Sequence, residues 1–363
     1  MTTAYPEQAT PCVLLDRRKL EANIASMQAT CRTHGVELRP HIKTHKMVEV
    51  ARRQLAAGAA GLTCAKLGEA EAMLPSGVRS LFVAHSLVDH AQAPRIAALG
   101  DRLDDFRVAV TSEVHAPALT QVARAAGRKL AVMMAVDTGL GREGLRSPDD
   151  AQRLATLIAR SPNLELHGFY THEGHFYGAP RDQLAEKSIE LIERLDRVRN
   201  AIDPGLPIWP GCSVSARLIA SHAAGRVQAV RPGAYMFGDL ALSRKTGVMS
   251  AGDVAVQVLA TVVDKPEPGL ALIDAGSKTF SSDRTADNIY ALAADGRDLT
   301  VVRVNEEHGY VRGEAVATLA VGERVAFTPA HICPVINLTD EVVVTADSGI
   351  ESKWKVDARG KTQ

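Results

Sequence analysis

The feature that most constrains this chain is an alternation of short apolar runs with longer amphipathic stretches, kept up for some two hundred residues. Apolar runs predict strands at Val36–Lys43, Leu62–Ala65, Ser80–His85, Arg107–Thr111, Leu130–Asp137, Glu165–His172, Pro207–Ser213 and Gln228–Tyr235. The stretches between them predict helices, among them Lys46–Ala57, Ala116–Ala126, Asp149–Arg160 and Asp182–Ala201. These strands are apolar on both faces, as buried parallel strands are. Eight such βα units predict a TIM-type (β/α)8 barrel. Asp16 is placed to cap a first helix running to Thr33, with Leu20, Ile24 and Met27 on one face. Near Ser250 the pattern changes. Val254–Val263, Gly269–Ile273, Thr300–Val304, Arg324–Thr328 and Glu341–Thr345 predict strands separated by Gly, Pro and Asp. A mostly antiparallel β C-terminal domain is expected there, joined by the early strand Pro11–Leu15. The expected division is a barrel over residues 16–245 and a β-rich domain made of 1–15 and 246–363.

Composition narrows the function classes. Of 363 residues 46% are hydrophobic, enough for a full core, and Lys+Arg and Asp+Glu both number 42. That balance gives no reason to expect a nucleic-acid or membrane partner. No apolar run is long enough for a transmembrane helix, and residues Met1 to Gln8 lack the blocks of a signal peptide. Five scattered cysteines read as a reduced, cytoplasmic inventory, with Cys12, Cys31 and Cys64 as small core residues. His34, His90 and His115 fall on expected helix or loop surfaces and read as solvated.

In a parallel barrel, reactive side chains sit at the C-terminal ends of the strands. Those ends here are polar: His41 and Lys43, His85, Asp137 leading into Arg142, Tyr170-Thr-His172-Glu-Gly-His175, Gly211-Cys-Ser213, and Arg231-Pro-Gly233-Ala234-Tyr235. One polar residue at a strand end is usually a structural cap; six strands with such ends point to one site. A lysine so placed can form a Schiff base. Ser213 with the backbone of Gly233 and Ala234 resembles a phosphate site, which barrels commonly place after strands seven and eight. A phosphate anchor and a Schiff-base lysine together point to pyridoxal 5'-phosphate. Downstream, His331-Ile-Cys333 has the period of a strand, which would turn both side chains the same way. Imidazole plus thiolate favours zinc among divalent metals, with manganese or magnesium as alternatives. Alone, the pair reads as a buried cysteine beside a capping histidine.

Arg39-Pro-His-Ile-Lys43-Thr-His-Lys46 resembles the lysine motif of the D-threonine aldolase and D-serine dehydratase family, fold-type III enzymes distantly related to alanine racemase. The resemblance spans nearly the whole chain. Asp137-Thr-Gly-Leu-Gly-Arg142-Glu-Gly144, Thr171-His172, Arg231-Pro-Gly233 and Pro329-Ala-His331-Ile-Cys333-Pro334 are each similar to motifs of that family. The resemblance implies that Lys43 holds the cofactor and that Arg142 approaches its phenolic oxygen. It places Tyr170, His172 and Arg231 around the ring, and Ser213, Gly233, Ala234 and Tyr235 near the phosphate. It gives His331 and Cys333 a divalent ion beside the substrate's β-hydroxyl, and it implies a homodimer acting on a small amino acid. The tyrosine motif that supplies a racemase's second base is not found after residue 250, which argues against racemisation.

Two reactions fit these parts. Retro-aldol cleavage of a D-3-hydroxy-amino acid gives glycine and an aldehyde, with His85 or His175 as candidate base for the β-hydroxyl. Dehydration of D-serine or 3-hydroxyaspartate gives a 2-oxo acid and ammonia. The general resemblance favours cleavage, and thiolate ligation favours dehydration; cleavage is the preferred reading of the sequence. A reading of another class, a non-catalytic pyridoxal phosphate carrier, is disfavoured by residues 250–363. Side-chain selectivity is expected to lie in the loops Thr171–Pro180 and Ala275–Arg284.

Overall fold

The computed structural model describes residues 5–347 and 349–363. The chain divides into two compact units, one of Ala25–Lys43, Val48–Gly233 and Lys361–Gln363, the other of Met1–Ile24, Thr44–Met47 and Ala234–Gly360. It passes from one to the other directly after Lys43 and after Gly233.

Strand β1 (Cys12–Asp16) and helix α1 (Arg17–Thr33) open the chain, and Asp16 caps the helix by accepting from Lys19 N at 3.1 Å. The barrel strands follow: β2 (Glu37–Leu38), β3 (Leu62–Cys64), β4 (Ser80–Ser86), β5 (Asp105–Val110), β6 (Leu130–Ala135), β7 (Leu164–Tyr170), β8 (Ile208–Trp209) and β9 (Ala229–Val230). Between them lie α2 (Val48–Ala56), α3 (Leu67–Met73), α4 (Ala93–Arg102), α5 (His115–Ala125), α6 (Pro148–Arg160), α7 (Leu184–Asn200) and α8 (Ala216–His222). Strands β3 to β8 pair in sequence order as a six-stranded parallel sheet, and β2 pairs with β9 in parallel. Backbone bonds close the ring. Thr63 N donates to Pro40 O at 2.8 Å on one side, and Gln228 N donates to Ile208 O at 3.2 Å on the other. This is the expected (β/α)8 barrel.

Three barrel strands are much shorter than the sequence suggests, and proline is the physical reason. Pro40, Pro210 and Pro232 have no N–H to offer a ladder, and each restricts the residue before it. The first strand ends at Leu38, and Lys43 lies on a single 3-10 turn, Ile42–Thr44, rather than at the tip of a strand. The reading of His115 is also corrected. It is 6% exposed, accepts at Nδ1 from Thr111 N (3.2 Å) and donates from Nε2 to Leu87 O (3.1 Å). An intrahelical position with a polar face carried no sign of that burial. His34 and His90 are exposed, as expected.

The interior of the barrel is a layer of Phe82, Ala109, Met133, Ala135, Tyr170, Trp209 and Ala229. Phe82 meets Tyr170 and Trp209 edge-on, at centroid distances of 5.0 and 5.9 Å. Below it, the Arg39 and Arg107 guanidiniums lie over the Trp209 ring at 4.3 and 4.5 Å.

The other unit holds β10 (Val256–Glu267), β11 (Leu270–Ile273), the one-turn α9 (Ser277–Phe280), β12 (Ala291–Ala293), β13 (Thr300–Val304), β14 (Gly309–Arg312), β15 (Arg324–Pro329), α10 (Ile332–Leu338), β16 (Glu341–Ala346) and β17 (Gly349–Lys355). Its strand order is β11-β14-β13-β12-β15-β10-β1-β16-β17, and an added β10–β11 pairing closes six antiparallel strands into a barrel. Strand β1 joins this sheet as expected, antiparallel to β10 and parallel to β16. The sequence reading misses β12, β14 and β17, which are short or too exposed to show an apolar alternation. Among the described residues no helix is long and apolar enough to cross a membrane.

Candidate active site

The C-terminal ends of the barrel strands enclose a cavity of about 240 Å³ lined by His41, Lys43, Ala65, Ala84, His85, Arg142, Glu143, Tyr170, His172 and Arg231. Six strand ends thus meet at one mouth. Lys43 is half-buried, and its Nζ has no hydrogen bond or ion pair among the described residues.

The loop after β6 is folded by one carboxylate. Asp137 Oδ1 accepts from the N–H groups of Gly139 and Gly141, both at 3.0 Å, and Oδ2 lies 3.4 Å from Arg146 Nε. Burial alone would raise this carboxyl, but the two backbone donors and Arg146 outweigh it and hold it below the usual range. Gly144 has φ +116°, and a Cβ there would stand 2.7 Å from Asp137 N. Only glycine lets the loop close so tightly onto the strand. The closed loop carries Arg142 and Glu143 to the cavity, where Glu143 accepts from Ser86 Oγ at 3.2 Å.

His172 donates from Nδ1 to Gly211 O at 2.5 Å, which fixes the tautomer and leaves Nε2 as acceptor. Burial, together with the nearby Lys43, Arg142 and Arg231 charges, pulls this imidazole down to about 3, so it is neutral at physiological pH. Arg231 is 3% exposed and donates to Trp209 O (3.0 Å) and Thr171 O (2.5 Å). Burial lowers it to about 10, and it stays charged at neutral pH. Gly211 makes this packing possible, since a Cβ there would meet Arg231 Cβ at 2.9 Å.

Two residues here escape sequence reading. Glu173 is fully buried, accepts from Ser215 Oγ (2.6 Å) and Gly211 N (3.1 Å), and is raised by burial. It ties the backbone that holds His172 to the start of α8. Lys66, directly after β3, places Nζ 2.9 Å from His85 Nε2. Burial and the Lys66 charge lower the His85 imidazole. Lys66 gave no periodic signal; its meaning rests on a residue nineteen positions away.

The residues read from the sequence as a phosphate site are placed as follows. Ser213 and Gly233 do come together, but through Gly233 N–H donating to Ser213 Oγ at 3.1 Å. Ala234 and Tyr235 follow in a one-turn 3-10 helix, Ala234–Met236, counted with the other unit. His175 does not line the cavity among the described residues. It stacks edge-on with Phe176 at 4.8 Å, and its Nδ1 is buried without a hydrogen-bond partner among the described residues.

The fit to pyridoxal phosphate can be tested on these groups. Three lining cations (Lys43, Arg142 and Arg231) face one carboxylate (Glu143), a balance that suits an anionic cofactor. Tyr170 Oη is buried with no hydrogen-bond partner among the described residues, and the Gly211 cradle has no room for a side chain. The residues present fit the group.

His331 and Cys333 lie in the other unit and are not on a strand. Strand β15 ends at Pro329, His331 is the N-cap of α10, and Cys333 is in its first turn. Pro334 falls at the third helical position, where a missing N–H costs nothing. Asp239, fully buried, fixes this start by accepting from Ile332 N at 3.1 Å. His331 Nδ1 donates to Asp283 Oδ2 at 2.7 Å, leaving Nε2 for another partner, and Cys333 Sγ lies 3.2 Å from Thr44 Oγ1. Desolvation pulls His331 down; the hydrogen bond and charge of Cys333, with Asp283 and Asp239, outweigh it and carry it up to about 10. A carboxylate behind a histidine is the usual support of a metal ligand. Among the described residues no group of three or more His, Cys, Asp or Glu is arranged to hold a metal. The pair fits an ion only with other ligands completing its shell.

A parallel barrel with an unpaired lysine at its mouth, followed by an antiparallel β-barrel, is the architecture of alanine racemase-like proteins. The chain belongs to that family: residues 15–241 match the model "Alanine racemase, N-terminal domain", and residues 255–345 match "Putative serine dehydratase domain". It is 31% identical to a D-threonine aldolase of Arthrobacter sp, over 97% of this chain and 93% of that one. It is 34% identical to a D-threo-3-hydroxyaspartate dehydratase of Delftia sp., over 89% and 90%. The crystal structure of a D-threonine aldolase from Filomicrobium marinum superposes with a TM-score of 0.88 at 25% identity, over 99% of this chain and 98% of that one. The Delftia dehydratase gives 0.84 at 28% identity, over 98% and 99%. That dehydratase has also been solved with a histidine replaced by alanine and, in a metal-free form, with a cysteine two positions further on replaced by alanine. These relatives are lyases.

Proposed function

We propose that this chain is a pyridoxal phosphate- and divalent-metal-dependent lyase that removes water from D-3-hydroxy-amino acids, the released enamine then being hydrolysed by water to a 2-oxo acid and ammonia. The observation that carries the choice of reaction is the donor pair itself: an imidazole backed by Asp283 and a thiol two residues on. The same two residue types at the same spacing were replaced in the Delftia dehydratase. A soft pair of this kind favours zinc, and a strong Lewis acid suits the departure of hydroxide. This reverses the preference for aldol cleavage drawn from the sequence. Cleavage to glycine and an aldehyde stays as the second reading, favoured by the likeness to D-threonine aldolases.

When bound, pyridoxal phosphate supplies an electron sink for the substrate's Cα and the metal a Lewis acid for its β-hydroxyl. Lys43 Nζ, unpaired in the cavity among the described residues, would anchor the cofactor and take the α-proton. Arg142, carried in by the Asp137 loop, would offer a positive charge to the anionic cofactor. Neutral His172 keeps one wall of the cavity uncharged, and Arg231 offers only N–H donors, so neither competes for the proton that Lys43 moves. His331 and Cys333 would hold the ion, as neutral imidazole and thiolate.

Product analysis tests this. D-Threonine, D-serine and D-threo-3-hydroxyaspartate are incubated with the protein and zinc, with and without chelator. Ammonia and a 2-oxo acid, lost with chelator and in His331→Ala, are expected. Glycine with an aldehyde would move the chain to the aldolase reading.

A further inference from the structure

Strand β8 is only two residues long, and Pro210 after it has no N–H with which to continue the ladder. The loop that follows, residues 211–215, lies beyond the paired residues of the strand. A side chain grips it instead. Glu173, fully buried just past the end of β7, accepts at Oε2 from Gly211 N (3.1 Å) and at Oε1 from Ser215 Oγ (2.6 Å). Its two oxygens thus hold the first and last residues of the loop. Ser213 stands midway between them, and its Oγ accepts from Gly233 N at 3.1 Å, which joins this loop to the one after β9. These are the loops after the seventh and eighth barrel strands, where such barrels commonly hold a phosphate group. Burying a carboxylate is costly unless its contacts are used. Burial raises Glu173, and the Ser215 hydroxyl, the Gly211 N–H and the Arg231 charge act against that rise. The mouth uses the same device a second time, where Asp137 accepts from two N–H groups to fold the loop that carries Arg142.

We infer that Glu173 is a positioning residue for the cofactor's phosphate: by gripping Gly211 and Ser215 it sets the loop from which Ser213, with the Gly233 backbone, meets that group. The inference rests on the cofactor reading above. Glu173 acts through the loop, since both its oxygens are engaged and its charge has the same sign as the phosphate.

The test compares pyridoxal 5'-phosphate with pyridoxal, which lacks the phosphate. Both can react with Lys43, and dissociation constants for the full chain are read from the absorbance of each. The unsubstituted protein should bind the phosphorylated form about tenfold tighter or more. Ser215→Ala releases one end of the grip. It should weaken the phosphorylated form about tenfold and leave pyridoxal within about threefold. Glu173→Ala should widen that difference. The Glu173→Gln amide can still accept from Gly211 N while donating to Ser215 Oγ, so this variant should stay within about threefold of the parent for both forms. Where Glu173→Ala fails to fold, Ser215→Ala and Glu173→Gln decide. An equal weakening of both forms would make the grip a matter of stability alone and overturn the inference. So would unchanged affinities in Ser215→Ala, or a loss in Glu173→Gln as large as that in Ser215→Ala. Equal affinities for the two forms in the unsubstituted protein would take the phosphate away from this loop and overturn it as well. Failure of the unsubstituted protein to take up either form would instead sink the cofactor reading itself.

Discussion

The floor and the mouth of the barrel are both built on arginine and lysine, yet they treat charge in opposite ways. At the floor every cation meets a carboxylate. Arg39 bonds Glu37 at 2.9 Å, Arg107 bonds Asp105 at 2.8 Å, and Trp209 lies against both guanidiniums. At the mouth only Arg142 meets a carboxylate, Glu143 at 3.5 Å; among the described residues Lys43 has no counter-ion, Lys66 has only an imidazole, and Arg231 donates to carbonyl oxygens. The floor is closed and serves stability; the mouth is left electrostatically incomplete, as a site for an anionic ligand must be. The same fold produces both because strand direction separates them: Ser80 and Asp105 begin their strands, while Lys43, Lys66 and His172 follow the ends of theirs.

Truncating each end should break the two apart. Trp209→Ala removes the aromatic centre of the floor and should cost about 3–5 kcal/mol in urea unfolding. Lys43→Ala at the mouth should cost less than about 1 kcal/mol while abolishing activity. Equal losses of stability would erase the distinction.

A smaller effect sharpens it. The Asp137 carboxyl is held below its ordinary value in the folded chain, so it binds a proton less readily folded than unfolded. Its contribution is therefore present above the unfolded pKa, near about 4, and is lost as pH falls through the lower folded value. Asp137→Asn should lower the urea midpoint at pH 6 and make the difference from the parent shrink towards pH 3. A difference that stays constant with pH would show that the carboxylate charge does not hold the Arg142 loop.

Much of this was legible in the residues. The βα alternation announced the barrel because buried parallel strands are apolar on both faces. Lys43, Arg142, His172 and Arg231 were legible as polar residues ending such runs, and they share one cavity. The extent of the strands was not, because Pro40, Pro210 and Pro232 end pairing inside runs that remain apolar. His331-Ile-Cys333 was read for its chemistry and misread for its shape, since a period of two across a strand end is also what a helix start between two prolines gives. Glu173 and Lys66 stayed hidden for a common reason. One matters through burial and the other through a contact distant in sequence, and neither leaves a local pattern.

The central claim is that the mouth takes a covalent cofactor on one lysine of the two it holds. The direct measurement is to incubate the protein with pyridoxal phosphate, reduce with borohydride, digest, and map the label by mass spectrometry. A single labelled peptide with the modification on Lys43 is predicted. A label on Lys66, or none on the mouth, would contradict the account.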